Sequence, residues 1–145
     1  MIEVEARVEV RPTEDLSKVR KALENFVTPS NLRVESRGGY RLIVASGRGG
    51  GCLKKLYYAL RRQRILDSAR GHLKRGIVGD TIIFYLHKQA AYMGVVSFCS
   101  FPEGESPLGS ITIVIRSKDP LKVLNWLTPR TVNGVPVEEG EEPDP

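Results

Sequence analysis

The sequence predicts an α+β fold, a mainly antiparallel sheet with helices packed on one face. Three observations predict it. Several segments repeat apolar residues at a period of two, beginning with MIEVEARVEV at the N-terminus. The segments between them have the spacing of amphipathic helices, in the order β-α-β-β-α-α-β-β-β-α. That order contains no internal repeat and no regular βαβ alternation, so a doubly wound parallel sheet does not fit.

Ile2, Val4, Ala6, Val8 and Val10 alternate with Glu3, Glu5, Arg7, Glu9 and Arg11. This is a strand with one buried face, ended by Pro12. Thr13, Glu14, Asp15 and Leu16 read as a helix start, because carboxylates complement the positive end of the helix dipole. Leu16, Val19, Leu23 and Phe26 continue at helical spacing, and Thr28-Pro29-Ser30-Asn31 stops the helix. Leu32 and Val34 open a second strand. Gly38-Gly39 marks a hairpin turn, answered by Tyr40, Leu42 and Val44. The loop GRGGG, Gly47 to Gly51, follows.

The next region carries two apolar stripes, Leu53, Leu56 and Leu60, then Leu66, Ala69 and Leu73. At about 100° per residue the stripes point in nearly opposite directions, so one straight helix cannot bury both. The spacing predicts two helices, about 50–62 and 64–75, broken near Gln63-Arg64, with Gly76 as the stop. TIIFYLH, Thr81 to His87, is apolar on both faces and predicts a central strand. KQAAYMG joins it to a strand over VVSFCSF, Val95 to Phe101. Pro102 to Gly109 is a loop, Ile111, Ile113 and Ile115 mark a further strand, and Asp119 to Leu127 a last helix with Leu121, Leu124 and Trp126. VNGVPV is a turn or edge strand. Residues 1–137 form one α+β domain, and the acidic tail 138–145 is expected to be disordered.

A chain of 145 residues can bury a real core as one domain. No run approaches the ~18 apolar residues of a membrane span. The N-terminus has no leader pattern, which leaves a cytoplasmic location as the expectation. Cys52 and Cys99 read as small buried thiols, with a bridge as the alternative in a hyperthermophile.

Charge is the informative feature. The chain carries a formal +5, unevenly distributed. Between Arg48 and Arg75 lie nine bases (48, 54, 55, 61, 62, 64, 70, 74, 75) and one acid, Asp67. The last eight residues carry five acids and no base. Local fields decide association, so the segregation outweighs the sum.

In the first basic helix Lys54, Lys55, Tyr58, Arg61 and Arg62 lie opposite the leucine stripe, within about 120° of arc. In the second, Arg64, Lys74 and Arg75 oppose Leu66 and Leu73, with Arg70 adding charge. A ring among cations suits a base stacked beside neutralised phosphates. The plain alternative is a solvated face, with Glu3, Glu5 and Glu9 supplying partners across the sheet. Lys88 and Tyr92 either extend the surface or belong to a helical turn packed by Ala90, Ala91 and Met93.

GRGGGCLKK is neither a P-loop nor a dinucleotide fingerprint, because position 52, where each needs glycine, is Cys52. What remains is a helix N-terminus beside Arg48 and Lys54, an anion site or a simple connection. Catalysis has little support. The only histidines are His72 and His87. A hairpin across 86–96 pairs Cys99 with Ile83, not His87, so no Cys–His dyad is expected. No metal-ligand spacing occurs, and no metal, cofactor or enzymatic activity is expected.

The segments VRPTEDLSKVRKAL, LRRQRILDSARGHLKRGIVGD, FYLHKQAAYMGVVSF and SPLGSITIVI together resemble the archaeal Uncharacterised Protein Family 0201 over roughly residues 2 to 135. The family pattern has Asn where this chain has His87, so no role carries over to that position. The resemblance implies a fold similar to the large-subunit ribosomal protein that binds five-S RNA, and a grouping with a predicted RNA-binding, exosome-associated family. It implies no catalytic residues.

The leading expectation is a non-enzymatic RNA-binding protein of the archaeal cytoplasm. Arg48, Lys54, Lys55, Arg61, Arg62, Arg64, Arg70, Lys74 and Arg75 would contact phosphate and Tyr58 would stack. The acidic tail is a candidate internal competitor for that face. The second expectation is a protein-interaction module, a homodimer or a binder of an acidic protein, using apolar residues of VVSFCSF. The third is a small enzyme holding an anionic ligand at 47–51.

Overall fold

The computed structural model describes residues 2–100, 109–137, 139, 140 and 142. The elements are β1 (Glu3–Val10), α1 (Leu16–Glu24), β2 (Asn31–Arg37), β3 (Tyr40–Arg48), a 3-10 turn (Gly50–Leu53), α2 (Lys54–Arg62), α3 (Leu66–Arg75), β4 (Ile77–Val78), β5 (Thr81–His87), α4 (Lys88–Tyr92), β6 (Phe98–Cys99), β7 (Ser110–Arg116), α5 (Pro120–Leu127), β8 (Thr131–Val132) and β9 (Val135–Pro136).

The sheet runs β2-β3-β1-β7-β5-β4, with β6 also paired to β5, and the pairings are antiparallel. Register turns the period-two pattern into rows. Val34, Ile43, Val8, Ile111, Leu86 and Phe98 lie side by side, and so do Leu32, Ala45, Ala6, Ile113 and Phe84. Except for Val34, which is exposed on the edge strand, these rows meet Val19 and Leu23 of α1, Leu56 and Leu60 of α2, Leu66 and Leu73 of α3, and Leu124 and Leu127 of α5 in one core. A one-residue slip would turn each strand's apolar set to the opposite side, so burial on one face fixes the register.

The ends are made as the local chemistry requires. Asp15 caps α1 by accepting from the Ser17 amide at 2.9 Å, and Asp119 caps α5 by accepting from the Lys122 amide at 3.2 Å, with Pro120 opening the helix. Glu14 instead accepts from the Arg11 amide at 2.9 Å. The two-residue turns fall at Gly38-Gly39 and at Asn133-Gly134, where φ is +54° and +79°.

The break between the basic helices lies where the opposed stripes place it. Arg64 takes a left-handed φ of +57°, which reverses the face presented to the core. Gln63 then fixes the hinge: its amide nitrogen donates to the Val96 carbonyl at 3.0 Å, and its oxygen accepts from the Val96 amide at 2.8 Å.

Four readings change. Among the described residues the strand expected over 95–101 is confined to Phe98–Cys99, because Gln63 engages the backbone of Val96 that a longer ladder would use; residue 101 lies outside them. Cys99 pairs with Tyr85 rather than Ile83; the tight turn after α4 shifts the hairpin register by two. Leu121 of α5 is exposed, and Val123 takes the buried position. Ile77–Val78 forms a strand that two residues could not announce. Most of the 102–109 loop and part of the 138–145 tail lie outside the described residues.

Gly76 ends α3 for a reason stronger than helix capping. A Cβ there would lie 1.9 Å from the Ile83 carbonyl oxygen, and that backbone cannot retreat because the Ile83 amide donates to the Gly76 carbonyl at 3.0 Å. Gly76→Ala is expected to cost on the order of 3 kcal/mol as an overpacked site. Urea unfolding checks this; an unchanged midpoint would contradict the close approach.

Candidate nucleic-acid interface

The predicted site residues separate into three groups. Lys54, Tyr58 and Arg62 follow one another at i, i+4 and i+8 along the outer ridge of α2, with Lys55 beside them. All four are exposed, Tyr58 at 58%. Arg64 in the hinge and Lys74 and Arg75 at the end of α3 are also exposed. Arg62, Arg64, Lys74 and Arg75 have no ion-pair partner among the described residues. Lys55 spends one donor on the Glu24 carbonyl, 3.0 Å away at the C-terminus of α1, where a cation complements the dipole. Lys54 pairs with Glu142 at 3.3 Å.

Arg61 and Arg70 are turned inward. Arg61 donates to the Trp126, Leu127 and Tyr57 carbonyls at 3.3, 3.4 and 3.2 Å and pairs with Glu139 at 2.7 Å. Arg70 donates to the Thr128 carbonyl at 2.7 Å. The two guanidiniums therefore close the C-terminal end of α5, whose last carbonyls have no helical partner. Burial, then the charge of Arg130, pushes Arg70 below the ordinary guanidinium range, though arginine stays protonated in proteins. Arg48 stands apart. Its register partner is Glu3, on the sheet face turned away from the helices.

That opposite face largely matches its own charge. Arg7 pairs with Glu5 at 3.0 Å, Arg11 with Glu9 at 3.8 Å, Arg33 with Glu35 at 2.5 Å, and Arg37 with the same Glu35. Glu3, Glu5 and Glu9 thus cannot serve the helical bases, because the strand pleat points them away from α2 and α3. The helical surface keeps its excess charge.

An aromatic group supports Tyr58. Tyr57 stacks on Trp126 with ring centres 5.2 Å apart, meets Tyr58 edge-on at 5.2 Å, and carries the Arg61 guanidinium 3.5 Å above its ring. Burial, with a smaller contribution from neighbouring Glu139, raises the Tyr57 phenol above its ordinary value, against the opposing pull of Arg61. Tyr57 is thus packed while Tyr58 remains free for contact.

Lys88 does not extend the surface. It is buried at 3% exposure, with Nζ 2.7 Å from the Glu9 carbonyl and 3.0 Å from a Glu14 carboxylate oxygen. Of the helical turn expected around it, Ala91 is buried but Met93 is 74% exposed. Asn25 holds that turn by donating to the Ala91 carbonyl at 2.7 Å.

The glycine loop is packed rather than open. The Gly49 amide donates to the Ile2 carbonyl at 2.9 Å, and Cys52 Sγ donates to the Gly49 carbonyl at 3.0 Å. Burial raises the Cys52 thiol above its ordinary value. Cys52 and Cys99 are both buried. In VVSFCSF, Val96 and Cys99 are buried and Phe98 stacks on His72 at 4.9 Å, leaving Val95 as the exposed apolar residue among those described. Among the described residues no His/Cys/Asp/Glu group could hold a metal ion, and no helix is long and apolar enough to cross a membrane.

The sequence is 50% identical over 144 residues to a UPF0201 protein of Pyrobaculum neutrophilum, covering 99% of this chain and all of the relative. The chain belongs to the UPF0201 family. The UPF0201 protein of Thermococcus kodakarensis is 47% identical, covering 94% of this chain and 96% of the relative. A crystal structure of the UPF0201 protein from Methanococcus jannaschii superposes with a TM-score of 0.82 at 33% identity, covering 94% of this chain and 99% of that one. A family model described as RNA binding matches residues 3–117. In this UPF0201 chain the match spans β1 through β7 and includes both basic helices.

The sequence did not distinguish Arg61 and Arg70 from their outward neighbours. Their roles depend on the end of α5, more than fifty residues away in the chain.

Proposed function

We propose that the protein binds RNA without catalysing a reaction on it, through the outer surface of α2, the hinge and α3. The observation that carries this reading is the row of exposed bases, Lys54, Lys55, Arg62, Arg64, Lys74 and Arg75, flanking exposed Tyr58, of which Lys54 alone pairs with an acid among the described residues, Glu142. Cations in the first turn of α2 oppose its own helix dipole. An external polyanion compensates that local cost. The description of the family model that matches residues 3–117, RNA binding, supports the same partner. Arg61 and Arg70 act as positioning residues that fix α2 and α3 against α5, and Arg48 lies outside the interface.

The test is titration of a fluorescent RNA across a salt series, with duplex DNA and an anionic polymer as competitors. The expected result is preference for RNA and an affinity falling linearly on logarithmic axes, at about 0.7 to 0.9 per phosphate contacted. Binding that treats all three polyanions alike would defeat the reading. Tyr58→Ala is expected to weaken single-stranded RNA by about 1–3 kcal/mol, the worth of one stacked base, while Tyr58→Phe keeps the affinity. Equal affinities for the two variants and the parent would remove Tyr58 from the interface.

A further inference from the structure

The acidic C-terminal segment reaches the proposed RNA surface. Glu139 accepts hydrogen bonds from Arg61 at 2.7 Å and from the Tyr57 hydroxyl at 3.2 Å. Glu142 pairs with Lys54 at 3.3 Å, and its side chain lies against Gly50 at the entry to α2. Between them, Gly140 packs on the backbone of α5. A Cβ there would lie 2.6 Å from the Asn125 carbonyl oxygen and 2.8 Å from the Trp126 amide nitrogen. The segment is therefore seated by a residue that must be glycine, with a carboxylate on either side directed to α2.

Two features make this contact displaceable. Glu139 and Glu142 are half and more than a third exposed, and exposed ion pairs contribute little individually and weaken with salt. The carboxylate of Glu142 also occupies the place where Lys54 and the N-terminal end of α2 would meet a phosphate. A tethered competitor acts at high effective concentration, so a polyanion must make several contacts at once to dislodge it.

We propose that the C-terminal segment carrying Glu139, Gly140 and Glu142 forms an autoinhibitory strap, an internal phosphate mimic that covers Lys54 and the Tyr57–Arg61 edge of α2 until RNA displaces it. The inference rests on the RNA-binding reading and adds a selection step to it. Ligands that touch α2 alone compete poorly with the strap. RNA that also engages Arg62, Arg64, Lys74 and Arg75 gains a foothold the strap does not block. Seating and charge make separable contributions, because Gly140→Val unseats the segment while keeping every carboxylate.

The experiment compares the full chain, a chain lacking 138–145, and Gly140→Val, each titrated with fluorescent RNA at low and high salt. At low salt both altered chains are expected to bind tighter. Gly140→Val should gain about three- to tenfold, the worth of a few exposed charge contacts. Both gains should vanish at high salt, where screening already loosens the strap. A deletion that tightens binding while Gly140→Val matches the full chain would overturn the strap, since net charge alone would then explain the gain. Equal binding by all three chains would overturn the strap and leave the RNA reading standing. No RNA binding by any chain at low salt would remove both.

Discussion

Replacing Arg62, Arg64, Lys74 and Arg75 together by glutamine is expected to lower RNA affinity on the order of a hundredfold near physiological salt and to flatten the salt slope by about three units. The four side chains are exposed and have no ion-pair partner among the described residues. Their charge therefore contributes little to folding, and the unfolding midpoint should stay near that of the parent. The contrast is Arg61→Gln. Arg61 holds the end of α5 through the Trp126 and Leu127 carbonyls, so its loss should appear first as lower stability. If the fourfold variant kept the parental slope, the phosphates would be bound elsewhere.

Lys88→Ala is expected to destabilise the fold by about 3–5 kcal/mol, because it strands a buried carboxylate. The pair is nearly sealed, with side-chain exposures of 4% for Lys88 and 10% for Glu14. Lys88 also bonds the Glu9 carbonyl, so one ammonium ties α4 to the end of β1 and the start of α1. In a chain of this size the loss corresponds to a fall in melting temperature of about 10 °C. Replacing both partners, Lys88→Met with Glu14→Leu, should recover much of it, since an apolar pair avoids the desolvation of two charges. A double variant as unstable as Lys88→Ala alone would show that the Glu9 contact, not the ion pair, holds this corner. RNA affinity should be unaffected in the folded fraction, which separates this lysine from those on α2 and α3.

Lys88 also illustrates where reading residues in sequence stops. Its neighbours His87 and Gln89 give no hint that the lysine between them is buried, because its partners Glu9 and Glu14 lie more than seventy residues earlier. Elements set by local periodicity were legible. The alternation in β1, the Gly38-Gly39 turn and the opposed leucine stripes each required only neighbouring residues, and the stripes placed the Arg64 reversal within a residue or two. The β5–β6 register was not legible, since it depends on the α4 turn and on Gln63 capturing Val96. Among the candidate site residues, helical spacing identified the outward ridge Lys54, Tyr58 and Arg62. It could not separate Arg61 from Arg62, one position apart, because the difference lies in the open carbonyls of α5. The acids of β1 were similarly ambiguous until the pleat assigned them to the far face of the sheet.

The most direct test of the central claim is photo-crosslinking of the full chain to RNA, with the attached peptides identified by mass spectrometry. The account predicts attachment within residues 54–75, with Tyr58 prominent and lost in Tyr58→Phe only if the hydroxyl reacts. Attachment concentrated instead on the open sheet face, at the outward positions of β1, β3 and β7, would contradict it and move the interface to the other side of the molecule.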